Sequence, residues 1–479
     1  MRLVHLCSIV LCVLLFQSCY EKESFTNSTS ARLAFSVDTL KFDTIFSNIG
    51  STTHQFVVYN RNSDAVRTSV SLQSKYYRLN VDGVSSNNIN NLEIRANDSA
   101  FVFVEVTINP NDSDSPILVL DSIQFETNGN QQDVILMAFG QDVHLYNDSI
   151  IEDAHWVNDR PYLIYNSVLV DSAYTLTIDP GTRIYFHNNS SLMVRGTLHI
   201  NGTVDEPVIM QGDRLEEYYS NKSGQWGAIY VINDNMYYFG NIHILDGSRG
   251  NTIDYAIIKN GIKGIQVDNH FEDELTLTLS NTIIQNMSIA GIYAQNANML
   301  VYNTVISNCG YYTAALTLGG NYKFIHSTLA NYNPTHRIPS LIFNNYYVDS
   351  LETVNVYDFL AQFSNSIIYG SLNSEFVMDM VPTDMAQFAY AFENCMLKYN
   401  DKEKYPGQGV FRNVISDADS LPRFVNISEG DYHLDTLSSA KDKGLDFFLD
   451  EYPIDLDGNQ RDSKPDLGAY ERIEQTNQK

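Results

Sequence analysis

Four short stretches decide the fold: Asn281-Thr-Ile-Ile284, Asn303-Thr-Val-Ile306, Asn365-Ser-Ile-Ile368 and Asn394-Cys-Met-Leu397. Asn251-Thr-Ile-Asp254 and His326-Ser-Thr-Leu329 read as variants of the same unit. The starts at 281, 303 and 326 lie 22 and 23 residues apart; the longer steps between the others are those that loop insertions produce. Several copies are followed by a second short strand, as in Gly264-Ile-Gln-Val267, Gly291-Ile-Tyr-Ala294 and Ala315-Leu-Thr-Leu318. A period near 22 built from short β-branched runs is one coil of a parallel β-helix, whose coils bury their inner faces only by stacking. Asparagine at one turn of successive coils suits a ladder, because it tolerates the left-handed conformation and its amide can bond along the stack. A leucine-rich repeat has a similar period, but its leucine spacing and helical segment are missing.

Working outward, the N-terminal side changes texture. From 31 to 145, runs such as Gln55-Phe-Val-Val-Tyr59 and Ala100-Phe-Val-Phe-Val-Glu-Val-Thr-Ile108 are punctuated by Asp82-Gly83, Asn109-Pro110-Asn111 and Asn128-Gly129. Six or seven such strands predict an immunoglobulin-like β-sandwich. Before it, Arg2 and the apolar run Leu6–Phe16 end at Gln17-Ser18-Cys19. That run is too short to span a bilayer as a helix. It has the charged start and small-residue end of a secretory signal peptide, assigned to residues 1–18. Residues 19–30 read as a polar tether.

Composition narrows the function classes. The 479 residues carry 30 Lys and Arg against 57 Asp and Glu, a net charge of -27, and no run of five basic residues occurs. Nucleic acid is therefore a poor partner. With Cys7 and Cys12 in the signal and Cys19 at its end, only Cys309 and Cys395 remain. Isolated in strand-like contexts, they read as small core residues.

Two resemblances add to this reading. Phe16-Gln17-Ser18-Cys19 resembles a bacterial lipobox, which implies that Cys19 is acylated and anchors the chain to the outer membrane; Glu21 and Glu23 resemble a surface-export signal. The stretches Leu176-Thr-Ile-Asp-Pro-Gly-Thr182, Leu192-Met-Val-Arg-Gly-Thr-Leu-His-Ile200, Ser438-Ser-Ala-Lys-Asp-Lys-Gly444 and Pro465-Asp-Leu-Gly-Ala-Tyr-Glu471 resemble the opening and closing segments of right-handed parallel β-helix lipoproteins of the Bacteroidota, within the pectate-lyase-like superfold. The expected fold is thus all-β: an immunoglobulin-like sandwich over 31–145, a right-handed parallel β-helix with its N-terminal cap over 146–425, and a C-terminal cap and tail over 426–479. Asp455, Arg461, Asp466 and Glu471 are expected to form a hydrogen-bonded cap over the last coil, since an open coil end is an unpaired sheet edge. The superfold hosts lyases, hydrolases, adhesins and stalks, so the resemblance implies no activity.

Candidate chemistry is sparse. The Asn-Thr-Asp, Asp-Asp, Gly-His-Gly and Arg-Ile-Lys set of pectinolytic hydrolases is not found, and no pair of carboxylates can be assigned to glycoside hydrolysis. Asp268, Glu272, Asp273 and Glu274, near Lys259 and Lys263, form an oxygen-rich cluster able to hold calcium; the competing reading is a solvated acidic loop. Tyr237, Tyr238, Tyr311, Tyr312, Tyr346 and Tyr347 fall near coil turns, where aromatic faces with amide neighbours make a carbohydrate platform. The sequence thus predicts a non-enzymatic envelope lipoprotein that displays a β-helix surface to a glycan or another cell-surface ligand, with no required cofactor. A lyase-like enzyme acting on acidic glycans and a structural stalk are the alternatives.

Overall fold

The computed structural model describes residues 23–473, except 111–115, 228, 233–234, 239, 269–273, 401–406 and the side chains of 228–239. The expected signal peptide at 1–18 and the expected lipidation site Cys19 lie outside the described residues. The chain divides into two compact units, Met1–Asp142 and Val143–Lys479.

The first unit is a sandwich of two five-stranded sheets. One runs in the order Leu33–Phe35, His54–Asn60, Ser99–Val106, Tyr77–Val81, Val84–Ser85; the other Thr39–Phe46, Asn130–Gln141, Ile117–Thr127, Val66–Ser71, Asn88–Ile94. The alternation seen in sequence places Phe56, Val58, Tyr77, Val102, Val104, Phe125 and Leu136 in the buried layer between them. The expected tether is shorter than 19–30. Residues from Glu23 on are fastened to the sandwich: Phe25 bridges to Ala65, Arg67 lies 3.9 Å over the Phe25 ring, and Arg95 pairs with Glu23 at 2.8 Å.

The second unit is a parallel β-helix with three faces. The first face stacks Leu192–Val194, Ile242–Ile244, Lys263–Asp268, Ala290–Gln295, Tyr312–Thr317, Leu341–Asn344 and Phe376–Asp379. The second stacks Arg183–Phe186, Val208–Gly212, Ala256–Lys259, Ile283–Gln285, Val305–Ser307, Thr328–Asn331, Ile367–Gly370 and Met396–Leu397. The third is a ten-stranded sheet from Ala154–Trp156 to Gln408–Arg412. One continuous core fills the interior, from Trp156 and Phe186 through Ile265, Ile292 and Phe324 to Phe363 and Phe392.

The asparagine repeat marks the turn from the third face to the second. Asn281, Asn303, His326, Asn365, Asn394 and Asn413 all have φ between 46° and 53°. Their side chains bond along the stack: Asn303 Nδ2 to Asn281 Oδ1 at 3.1 Å, Asn365 Nδ2 to His326 Nε2 at 3.0 Å and Asn413 Nδ2 to Asn394 Oδ1 at 3.0 Å. The variant assigned to Asn251 is out of phase: Asn251 is a buried strand residue, and the left-handed position of its coil is Tyr255, φ 48°. Asp254 takes the ladder bond there, accepting from Asn281 Nδ2 at 2.8 Å.

The C-terminal segment differs from the expected end cap. It lies along the flank of the second face, where Tyr432, Leu456 and Ala469 cover Val305 and Ala330, and Leu434, Ala440 and Leu467 cover Ile367 and Met396. The ladder holds it: Asn303 Nδ2 donates to Ile454 O at 2.8 Å, Asn365 Nδ2 to Leu445 O at 2.9 Å and Asn394 Nδ2 to Lys443 O at 2.8 Å. Gly468, at φ 92°, passes so close that a Cβ would meet Thr328 Oγ1 at 2.6 Å. The apolar outward side chains of these strands explain the location. A flank carrying Val305, Ala330, Ile367 and Met396 must be covered, and the tail is what covers it.

Candidate functional site

Two surfaces of the β-helix gather functional side chains. On the first face, strand register sets His243, Gln266, Tyr293 and Ala315 in one outward column and Asp268, Gln295 and Thr317 in the next. Within it runs a polar chain. Lys263 Nζ donates to Gln266 Oε1 at 3.0 Å and sits 4.0 Å from the Tyr293 ring centre. Gln266 Nε2 reaches the Asp268 carboxylate at 2.8 Å, and His243 Nε2 lies 2.6 Å from Asp268 Oδ2. Lys263, Gln266 and His243 are buried. Burial brings the Lys263 ammonium down to about 8, with Asp268 opposing the shift.

The predicted site residues are distributed as follows. Asp268 turns to His243 and Gln266, and Glu274 pairs with Arg249 at 3.6 Å, so these two do not converge on a shared point. Glu272 and Asp273 lie outside the described residues. Among the described residues no group of three His, Cys, Asp or Glu side chains is placed to hold a metal ion. Asp455 is saturated internally: its carboxylate accepts the backbone N–H of Asp457, Asn459 and Glu471 at 3.0, 2.7 and 2.8 Å.

Of the tyrosines, Tyr237 and Tyr238 belong to a hairpin, Ile229–Ile232 with Asn235–Tyr238, whose side chains are outside the description. Tyr312 shares the column of Lys263 and Ala290. Tyr311 stacks on His336 at 3.8 Å. Tyr346 donates its hydroxyl to Asp379 at 3.0 Å, and Tyr347 stacks on Tyr357 at 6.2 Å. The first face therefore brings Tyr312 close to the Lys263 chain, while Tyr347 faces another aromatic on its own hairpin.

Sequence reasoning missed one large cleft. It lies on the outside of the third face and encloses about 670 Å³. Two outward columns make its floor: Asn298, Asn321, Leu360, Ala389, Gln408, and beside it Leu300, Lys323, Gln362, Ala391, Val410. Glu451 and Tyr452, from the C-terminal segment, form a wall. The hollow exists because Ala389 and Ala391 stand where neighbouring coils carry Leu360 and Gln362. Five strands spaced about 4.8 Å apart give a trough about 19 Å long, running along the helix axis. Amides and aliphatic side chains are mixed along it, and the described lining holds one cation, Lys323, and one carboxylate, Glu451, which accepts the Tyr452 hydroxyl at 2.8 Å.

No family model matches the sequence, and no curated protein matches it at a significant level. Among solved structures, the catalytic unit of a GH87 alpha-1,3-glucanase from Streptomyces thermodiastaticus is similar over 76% of this chain and 90% of its own, at 10% identity and a TM-score of 0.20. A PapD-like domain of human CEP192 is similar over 26% of this chain and 91% of its own (8% identity, TM-score 0.18), and the CooA pilin subunit of enterotoxigenic Escherichia coli over 23% and 97% (10% identity, TM-score 0.18). Scores of this size carry no argument about activity. The assignment of sandwich and β-helix stands on the strand pairing itself.

Proposed function

We propose that this protein is a non-enzymatic glycan-binding lipoprotein whose binding site is the trough on the third face of its β-helix. The single observation that carries this reading is the trough's lining. Asn298, Asn321, Gln362 and Gln408 offer donors and acceptors to hydroxyl groups, while Leu300, Leu360, Ala389, Ala391 and Val410 offer an apolar floor to sugar CH faces. Among the described lining residues one Lys and one Glu balance, so the ligand that suits it is an uncharged, elongated polysaccharide lying along the helix axis. A single carboxylate does not make the pair that glycoside hydrolysis requires. Electrophoretic retardation of the purified protein in gels containing neutral polysaccharides tests the reading. Retardation supports it, and mobility unchanged across a broad panel contradicts it.

Acylation of Cys19, outer-membrane attachment and surface display belong to the same proposal and rest on the N-terminal sequence. Metabolic labelling with a fatty-acid probe, lost in Cys19→Ala, is the expected outcome.

One observation favours a second reading, a lyase-like activity on acidic glycans. The Lys263–Gln266–Asp268–His243 chain contains an amine of lowered proton affinity, the kind of base that abstracts a proton beside a carboxylate. Incubation with uronate-containing polysaccharides, with and without calcium, checks it. An ultraviolet-absorbing unsaturated product that disappears in Lys263→Met would replace the binding reading with the enzymatic one.

A further inference from the structure

The attachment of the chain's first described residues fixes which end of the sandwich meets a membrane. Ser24 O accepts the Ala65 amide at 2.9 Å, Thr26 N donates to Ala65 O at 3.0 Å, Asn128 Nδ2 donates to Thr26 O at 2.9 Å and Asn130 Nδ2 to Thr29 O at 2.6 Å. Residues 23–30 are thus built into the end of the sandwich formed by the turns at 60–65, 95–98 and 128–129. Only Tyr20, Glu21 and Lys22 separate Cys19 from Glu23. Even fully extended, four peptide steps reach about 14 Å. A lipid on Cys19 therefore holds this end within about 14 Å of the bilayer surface. The chain leaves the sandwich at the other end, where Ser47 N bonds Gln141 O at 2.9 Å and Asp142 follows.

The same end is where the unit keeps its positive charge. Between Glu23 and Asp142 the sequence holds seven Lys and Arg, and four of them, Arg32, Arg61, Arg67 and Arg95, are exposed here. Glu93 and Glu23 pair with Arg67 and Arg95 at 2.9 and 2.8 Å. Arg32 and Arg61 make no ion pair among the described residues; Arg61 lies 5.6 Å over the Tyr59 ring. The nearby carboxylates are occupied by local bonds: Asp64 accepts from the Ser24 hydroxyl, and Asp98 from the Ser99 amide at 2.8 Å. In a chain of net charge -27, this end is close to neutral, its four guanidinium groups set against the carboxylates of Glu23, Asp64, Glu93 and Asp98, and it holds two guanidinium groups, Arg32 and Arg61, outside any ion pair among the described residues. Basic groups next to a lipid anchor are attracted to anionic headgroups and supply the second signal that one lipidated residue lacks.

We propose that the sandwich end built from residues 23–32, 60–67 and 95–98 rests on the lipid headgroup layer, with Arg32 and Arg61 bound to lipid phosphates, so that the sandwich stands on the membrane. This rests on the reading of Cys19 as acylated. The test uses the full-length protein extracted with its lipid and reconstituted into phosphatidylcholine–phosphatidylglycerol vesicles carrying a headgroup-attached quencher. A fluorophore is placed on Ser63→Cys, at the proposed contact, or on Thr52→Cys, at the far end. Quenching several-fold stronger at 63 than at 52, and reduced by Arg32→Gln with Arg61→Gln, is the expected result. Equally weak quenching at both sites in protein whose N-terminal peptide carries lipid by mass spectrometry overturns the proposal alone. An N-terminal peptide without lipid overturns the anchor reading and the proposal with it.

Discussion

His433 is held between two carboxylates, 2.7 Å from Asp457 and 2.6 Å from Asp431, and stacks on Tyr470 at 3.9 Å. The bond to Asp457, aided by Asp431, raises the imidazole to about 9. A histidine whose folded value exceeds its ordinary 6.5 contributes stability that is complete below pH 6.5 and lost as pH rises through 9. Its side chain is 41% exposed, so solvent screens part of the effect. Thermal unfolding should therefore shift to lower temperature between pH 6.5 and 9, and His433→Gln should flatten that slope; an unchanged slope in the variant would refute the assignment. Cys309 and Cys395 make a second contrast at this scale. Both are free and buried, and burial pushes both thiols up to about 12. Cys395 occupies the place after the ladder asparagine, where Thr282, Thr304, Ser327 and Ser366 donate hydroxyls to the carbonyl two residues back. Its thiol does the same, toward Glu393 O at 3.4 Å. The Cys309 thiol likewise reaches Ser307 O at 3.5 Å, and both cysteines belong to the apolar core, but the preceding coil carries Met287, not a hydroxyl residue, at the place of Cys309. Cys395→Ser is expected to cost under about 1 kcal/mol and Cys309→Ser about 1–3 kcal/mol, read by urea denaturation.

At the scale of elements, the ladder does two jobs. Each ladder asparagine bonds an adjacent coil, and Asn303, Asn365 and Asn394 also hold the C-terminal segment. Asn303 further accepts from the buried Arg461 guanidinium at 3.0 Å, which also bonds Gly468 O and Ala469 O at 3.2 and 3.1 Å. Asn303→Ala removes these amide bonds and places a Cβ residue at φ 47°, an expected loss of about 2–4 kcal/mol. Asn303→Gly keeps the conformational freedom and should recover about 1 kcal/mol of it. Equal losses in chemical denaturation would mean that the left-handed turn is not what the repeat encodes. This is why the helix was legible in sequence: a tight left-handed turn admits few residues, so its period is written in asparagine. The coil at 251 was misread because Tyr255 takes that turn, and a tyrosine there carries no such signal. The trough was not legible, since its shape comes from the small side chains of Ala389 and Ala391 and its wall from Glu451 and Tyr452, distant in sequence.

Across the whole molecule, the sandwich and the β-helix have separate cores. Neither needs the other to bury its apolar residues, so calorimetry of the full chain is expected to resolve two transitions, and residues 23–142 expressed alone should reproduce one of them. A single transition for the full chain, with an unfolded 23–142 fragment, would contradict that division. The C-terminal segment, by contrast, is part of the β-helix in every energetic sense, because it covers the flank at Val305, Ala330, Ile367 and Met396 and walls the trough. The sequence resemblance at 438–471 located this segment but placed it at the coil end, because a closing motif does not say which surface it closes.

Filling the trough tests the account's central claim most directly. Ala391 lies on the trough floor between Gln362 and Val410 and points out of the core, so Ala391→Trp should occupy the hollow while leaving the coil intact. With near-wild-type thermal stability as the control, the wild-type chain should be retarded in a neutral polysaccharide gel and Ala391→Trp should run unretarded. A wild-type chain that no polysaccharide retards, or a filled trough that binds as well as an open one, would contradict the account.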